Sequence, residues 1–173
     1  MVRWTQFGVF CPILRIHGFR TPAMAQSACA AGGGVGSETS GETAVWAYGE
    51  HAYAALKKML LLREALRPYI NVQMRAAAAR GAPVVRPLWY DFPGAAEAFT
   101  PQVQDTQFMF GHEWLVAPVV ELGQRKRRVF FPAGPQCNEW KHWETGEVYT
   151  GGQTTEVAVP FDSPAAFKCA TQR

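Results

Sequence analysis

The side chains able to move a proton, attack a carbon or hold a metal are four histidines, four cysteines and fourteen carboxylates. His17, His51, His112 and His142 stand far apart, and none belongs to a spacing such as HExxH that brings two imidazoles onto one metal. Cys11, Cys29, Cys137 and Cys169 contain no CxxC pair, so zinc is not expected, and they read as reduced thiols rather than a disulfide framework. Among the acids, Asp91 lies in the turn Asp91-Phe92-Pro93-Gly94, Asp105 precedes a strand and Asp162 sits near the C-terminus. No two of them have a sequence reason to converge, and Asp91 and Asp105 read as turn formers or salt-bridge partners. His17 differs. It closes the alternating run Ile13-Leu14-Arg15-Ile16, just after Pro12 has ended a helix. A strand there delivers one imidazole at its C-terminal end, with Arg15 two residues back on the same face.

The elements that must position these groups fall into two kinds. Arg3 to Gly8 reads as the tail of a helix, followed by a short buried strand. Such a strand needs neighbours for its backbone donors and acceptors, and only two residues precede Arg3, so the chain is expected to begin in the middle of a domain. Gly18 to Val45 is rich in Ala, Gly, Ser and Thr, has no periodicity, and reads as a disordered insertion at 19–45. Its glycines lack the strand before and the helix with Lys-Ser/Thr after that a phosphate loop needs. Glu50 to Arg80 is helical: Tyr53, Leu56, Met59, Leu60, Leu66, Tyr69 and Ile70 share one face, while Lys57, Lys58, Arg63 and Glu64 take the other. Pro68 breaks or kinks it, and Gly81 ends it. From Pro83 onward the period becomes two. Val84–Tyr90, Gln107–Phe110, Trp114–Val120, Arg128–Phe131, Asn138–Trp143, Val148-Tyr149 and Thr155–Val159 read as short strands between Gly/Pro turns, the pattern of an antiparallel β-sandwich.

Composition excludes several classes. Apolar residues make up 48% of the chain, enough for a core. The net charge of +3 is spread out, and the one basic cluster, Arg125-Lys126-Arg127-Arg128, reads as a solvated turn rather than a nucleic-acid stripe. No apolar run approaches the ~18 residues of a membrane span. No metal or other cofactor is implied, and the sequence is silent on compartment and oligomeric state.

RWTQFGVFCPILRIHG, residues 3–18, resembles the segment near the end of the catalytic barrel in glycoside hydrolase family 31, the α-glucosidase and α-xylosidase family. Trp46-Ala47-Tyr48-Gly49, Leu62-Arg63 with Arg67-Pro68-Tyr69, Val85-Arg86-Pro87-Leu88, Asp105 to Gly111 and Leu115 to Val119 follow in the same order. FCPILRIHG is most similar to the α-xylosidase-like branch. The resemblance implies α/β plus all-β architecture: residues 1–85 as the last strand and helices of a (β/α)8 barrel, and 86–173 as the β-sandwich that follows. It implies hydrolysis of an α-linked xyloside or glucoside with retention, which needs two carboxyl groups ~5–5.5 Å apart. The family's Asp-Met-Asn-Glu and Gly-Asp-Asn motifs do not occur in this sequence, so the chain is expected to be inactive alone. His17 is implied to bind a sugar hydroxyl, with Arg15 as the cation behind it. The chain also departs from the family at Ala44-Val45-Trp46, where a Glu-Pro-Trp is usual, and at Pro164 to Cys169, where a further apolar strand is usual. A second reading, a carbohydrate-binding or interaction module on the sandwich, rests on Trp140, Trp143 and Tyr149, which read more simply as core. With most barrel partners of the strand absent, the N-terminal half is expected to be the less protected one.

Overall fold

The computed structural model describes residues 1–16 and 44–170. Helix α1 (Val2–Gly8) opens the chain. After a 3-10 turn at Val45–Tyr48 come α2 (Glu50–Ala65) and α3 (Arg67–Arg80). The break at Leu66 follows from Pro68, which has no N–H for the carbonyl four residues back. Gly81 closes α3 in the left-handed conformation, φ +69°, at little cost because it has no Cβ.

Eight strands follow: β1 (Val85–Arg86), β2 (Phe108–Phe110), β3 (Trp114–Ala117), β4 (Lys126–Phe131), β5 (Glu139–His142), β6 (Val148–Thr150), β7 (Gln153–Ala158) and β8 (Ala165–Cys169). They form a six-stranded sheet in the order β1-β2-β3-β8-β5-β6 and a two-stranded sheet β4-β7, antiparallel throughout. Alternation sorts the side chains. Met109, Leu115 and Phe167, in register across β2, β3 and β8, face β4-β7 and pack with Val129, Phe131 and Trp140. Phe110, Trp114, Val116 and Ala166 face the opposite way, onto Val9, Phe10, Met59, Leu66 and Ile70 of the helical region. Both faces of the central strands are therefore covered, and those strands read as nearly continuous apolar runs. The fold is the C-terminal part of a barrel, carried as helices, followed by a β-sandwich. Gly111 joins β2 to β3 at φ +60°; a Cβ there would collide with the Tyr69 hydroxyl.

Several expectations need correcting. Ile13–Ile16 forms no strand, and Ile13 is 80% exposed. Among the described residues no strand lies alongside to complete its ladder, and an unpaired segment gains nothing from extended geometry. Val84–Tyr90 contributes only two strand residues. Pro87 then caps a one-turn helix, Leu88–Asp91, because it cannot donate to a ladder. The last stretch, read as a departure from a strand, is β8, at the centre of the large sheet. Arg125–Arg128 is not simply a solvated turn: Lys126 to Arg128 lie in β4, and Arg127 turns inward to donate from Nη2 to the Thr106 carbonyl at 2.6 Å. Tyr53, placed on the apolar helix face, is exposed. Leu56 and Met59 are fully buried against α1 and the sheet, so their cover does not depend on further barrel surface.

The expectation of reduced thiols needs correcting at two of the four cysteines. Cys137 and Cys169 are disulfide-bonded, with Cα atoms 5.8 Å apart. β5–β8 pairing brings residues 32 apart in sequence side by side, which spacing along the chain does not reveal. Cys11 is a free, half-buried thiol; Cys29 lies outside the described residues.

Candidate functional site

His17, the residue on which sugar binding was placed, lies outside the described residues, as does most of the 19–45 stretch. Its predecessors are described. Arg15 is exposed, Ile16 half-buried, and the turn that launches them is held from α2. Arg63 donates from Nη1 to the Val9 carbonyl at 2.8 Å and to the Cys11 carbonyl, and from Nη2 to the Pro12 carbonyl at 2.8 Å. Three carbonyls just past the C-terminal end of α1 thus converge on one guanidinium. They lack helical partners, and a cation suits the negative end of a helix. Burial lowers the Arg63 pKa and raises that of Cys11, each group opposing the shift of the other. Sequence reading assigned Arg63 to a charged outer face and missed this clamp. The available signal was Pro12: a helix stopped there leaves orphan carbonyls that need a donor.

Among the described residues, Asp91, Asp105 and Asp162 lie on different elements. Asp91 lies 2.9 Å from Arg86 Nε, with both side chains largely buried. Burial raises the Asp91 pKa, against the pull of Arg86 and His112. The Arg86 guanidinium also donates to the Gly111 carbonyl and sits over the Tyr90 ring. Asp105 is exposed at the end of a one-turn helix, Pro101–Gln104. Asp162 lies 3.2 Å from Lys58 Nζ, which also pairs with Glu144 and stands over the Trp143 ring. Burial of Asp162 raises its pKa, but the bond from Lys58 overcomes this and the carboxyl stays below its usual value. Lys58 thereby ties α2 to both the β5–β6 turn and the loop before β8. Asp91 and Asp162 are salt-bridge partners, a structural role that was expected of Asp91.

His51 stacks on Phe161 at 4.8 Å, and His112 Nδ1 meets the Gln73 side chain at 3.2 Å. His142 Nδ1 accepts from the Glu144 and Thr145 backbone N–H groups, at 3.4 and 3.2 Å. That nitrogen is unprotonated, and burial holds the ring below the usual imidazole pKa. Among the described residues no three His, Cys, Asp or Glu side chains gather where they could hold a metal. The aromatic trio does not form a platform. Trp140 is fully buried and donates to the Pro132 carbonyl at 2.8 Å, and Tyr149 stacks on Phe131.

The described residues thus place helices behind an antiparallel sandwich, with Asp91 and Asp162 held in ion pairs. Residues 1–73 match the Glycosyl hydrolases family 31 TIM-barrel domain, and residues 81–169 the Glycosyl hydrolase family 31 C-terminal domain. The chain belongs to glycoside hydrolase family 31. It is 40% identical to a GH31 alpha-xylosidase from a soil metagenome complexed with xylose, covering 99% of this chain and 24% of that one with a TM-score of 0.80. A GH31 dextranase from Flavobacterium johnsoniae, solved with isomaltotriose, is 30% identical, with coverages of 97% and 18% and a TM-score of 0.76. The probable glucan 1,3-alpha-glucosidase of Oryza sativa subsp. japonica is 29% identical over 97% of this chain and 16% of its own length. The chain thus spans between 16% and 24% of these relatives.

Proposed function

We propose that this chain serves as the C-terminal region of a retaining α-glycosidase acting on an α-xyloside or α-glucoside, and that it does not turn over substrate by itself. In this reading residues 1–85 finish the barrel and residues 86–173 form the sandwich. His17 offers its imidazole to a hydroxyl of the sugar, and Arg15 stands behind it. The observation that carries the reading is the match of both family patterns, in order, on one chain. Likeness to an α-xylosidase solved with xylose and a dextranase solved with isomaltotriose supports an α-linked sugar as the ligand of the intact enzyme.

Retaining hydrolysis requires one carboxylate to attack the anomeric carbon and a second to protonate the leaving oxygen, ~5–5.5 Å apart. Asp91 and Asp162 are committed to Arg86 and Lys58, which supports placing that pair outside this chain. The test is an assay of the purified chain on aryl α-xyloside and aryl α-glucoside. No hydrolysis above an empty-vector control is expected; reproducible turnover overturns the reading.

A further inference from the structure

The sandwich presents a second set of aromatic rings, distinct from Trp140, Trp143 and Tyr149. Trp89 and Tyr90 stand on the one-turn helix Leu88–Asp91, and Phe99 ends the 3-10 turn Ala96–Phe99. All three reach solvent: Trp89 is 37% exposed, Tyr90 45% and Phe99 49%. The Trp89 and Phe99 rings are nearly parallel, 17° apart, with centroids 6.2 Å from one another. Carbon atoms in contact lie ~3.5–4.0 Å apart. Parallel rings at the larger distance are therefore displaced sideways and form a stepped surface. The mounting beneath them is rigid. Leu88, Phe92 and Ala98, their neighbours in sequence, are buried in the sandwich core. The Phe92 N–H donates to the Leu88 carbonyl at 2.9 Å, and the Ala98 N–H to the Ala95 carbonyl at 3.0 Å. The Arg86 guanidinium stands over the Tyr90 ring, 5.1 Å from its centre.

We propose that Trp89 and Phe99 form a non-catalytic binding site for an α-linked oligosaccharide, the sugar class resting on the function proposed above. A pyranose has a face of C–H bonds and a rim of hydroxyls. The C–H face suits the electron-rich face of an indole or phenyl ring, and a stepped pair of rings receives two successive units of one chain. The hydroxyl rim needs polar neighbours. Exposed Glu97 and Gln102 flank Phe99 in sequence, and the Arg86–Asp91 ion pair lies beside Tyr90. Size decides against a protein partner. At ~150–250 Å² per aromatic side chain, the exposed fractions of the three rings amount to about 250 Å². A stable protein interface takes ~800 Å² from each side. The site holds a sugar chain on the sandwich and takes no part in bond cleavage.

The test titrates the purified chain with isomaltotriose and with xylose by calorimetry at millimolar ligand. Isomaltotriose is expected to bind the more tightly, because a single xylose covers only one ring. Trp89→Ala and Phe99→Ala are each expected to weaken isomaltotriose binding about tenfold, with melting unchanged. Trp89→Phe keeps a flat ring and is expected to stay within about threefold of wild type. Trp4→Ala, at a position 75% exposed on α1, is expected to bind as wild type does. No heat from isomaltotriose overturns the inference. Equal binding by wild type, Trp89→Ala and Phe99→Ala does so too, as does equal affinity for the two sugars. Binding lost in His17→Ala and kept in Trp89→Ala overturns it while strengthening the proposed function, by placing the sugar at His17. Binding lost in Trp89→Ala and kept in His17→Ala supports it, whatever the outcome of the hydrolysis assay. A dimer of the chain that Trp89→Ala dissolves overturns it, by making a second copy the occupant.

Discussion

The sandwich and the helical region bury apolar residues by different means. In the sandwich, Trp140, Phe131, Phe167 and Leu115 meet residues of the same region, and the Cys137–Cys169 bond fastens β8 to the chain just before β5. The helices have no such enclosure. Met59, Leu66 and Ile70 are buried because the back of the sheet supplies Phe110, Trp114 and Val116, and the turn after α1 is held by one arginine. Their remaining surface carries exposed Trp4, Leu61 and Val72. One region is closed by its own pairing; the other is covered by the back of the sheet and leans on it.

Removing the disulfide tests the first half of that contrast. Its loop of 32 residues predicts a loss of about 3–4 kcal/mol for the Cys137→Ser, Cys169→Ser double variant. Urea unfolding checks this, and a loss under about 1 kcal/mol shows that strand pairing alone closes the sandwich. The second half is tested at Arg63. Arg63→Met removes charge-assisted bonds to three carbonyls and is expected to cost about 1.5–3 kcal/mol. Hydrogen exchange should rise first at Phe10 to Leu14 and leave Leu115 to Ala117 protected. Equal loss of protection in both places means that the two regions unfold as one. The smallest effect is electrostatic. Burial lowers the folded pKa of His142, so the unfolded chain takes up its proton first as pH falls. Stability is full above about pH 6.5 and declines below it. His142→Asn keeps an acceptor for the turn and should lessen the loss of thermal stability between pH 7.5 and 5.5. An identical pH profile in both proteins shows that His142 does not contribute to it.

What the chain alone determined follows from local chemistry. Pro68 removes one helical bond wherever the rest of the molecule lies, so the α2–α3 break was legible, as was the end of α3 at Gly81. Short apolar or alternating runs between Gly/Pro turns marked the strands β2 to β7, because turn residues punctuate extended backbone locally. The family was legible because its motifs are local and ordered. What the tertiary structure alone decided depends on residues distant in sequence. β8 looked like an irregular tail, because Ala165 and Ala166 carry little hydrophobic signal; it is a central strand because β3 and β5 flank it. The same pairing turned two scattered cysteines into a disulfide. Ile13–Ile16 had the alternation of a strand and did not become one, since a ladder needs a neighbour that sequence pattern cannot supply. Arg63 and Arg127 looked like solvated charges. Each is defined instead by carbonyls more than twenty residues away in sequence, which only the folded chain brings within reach.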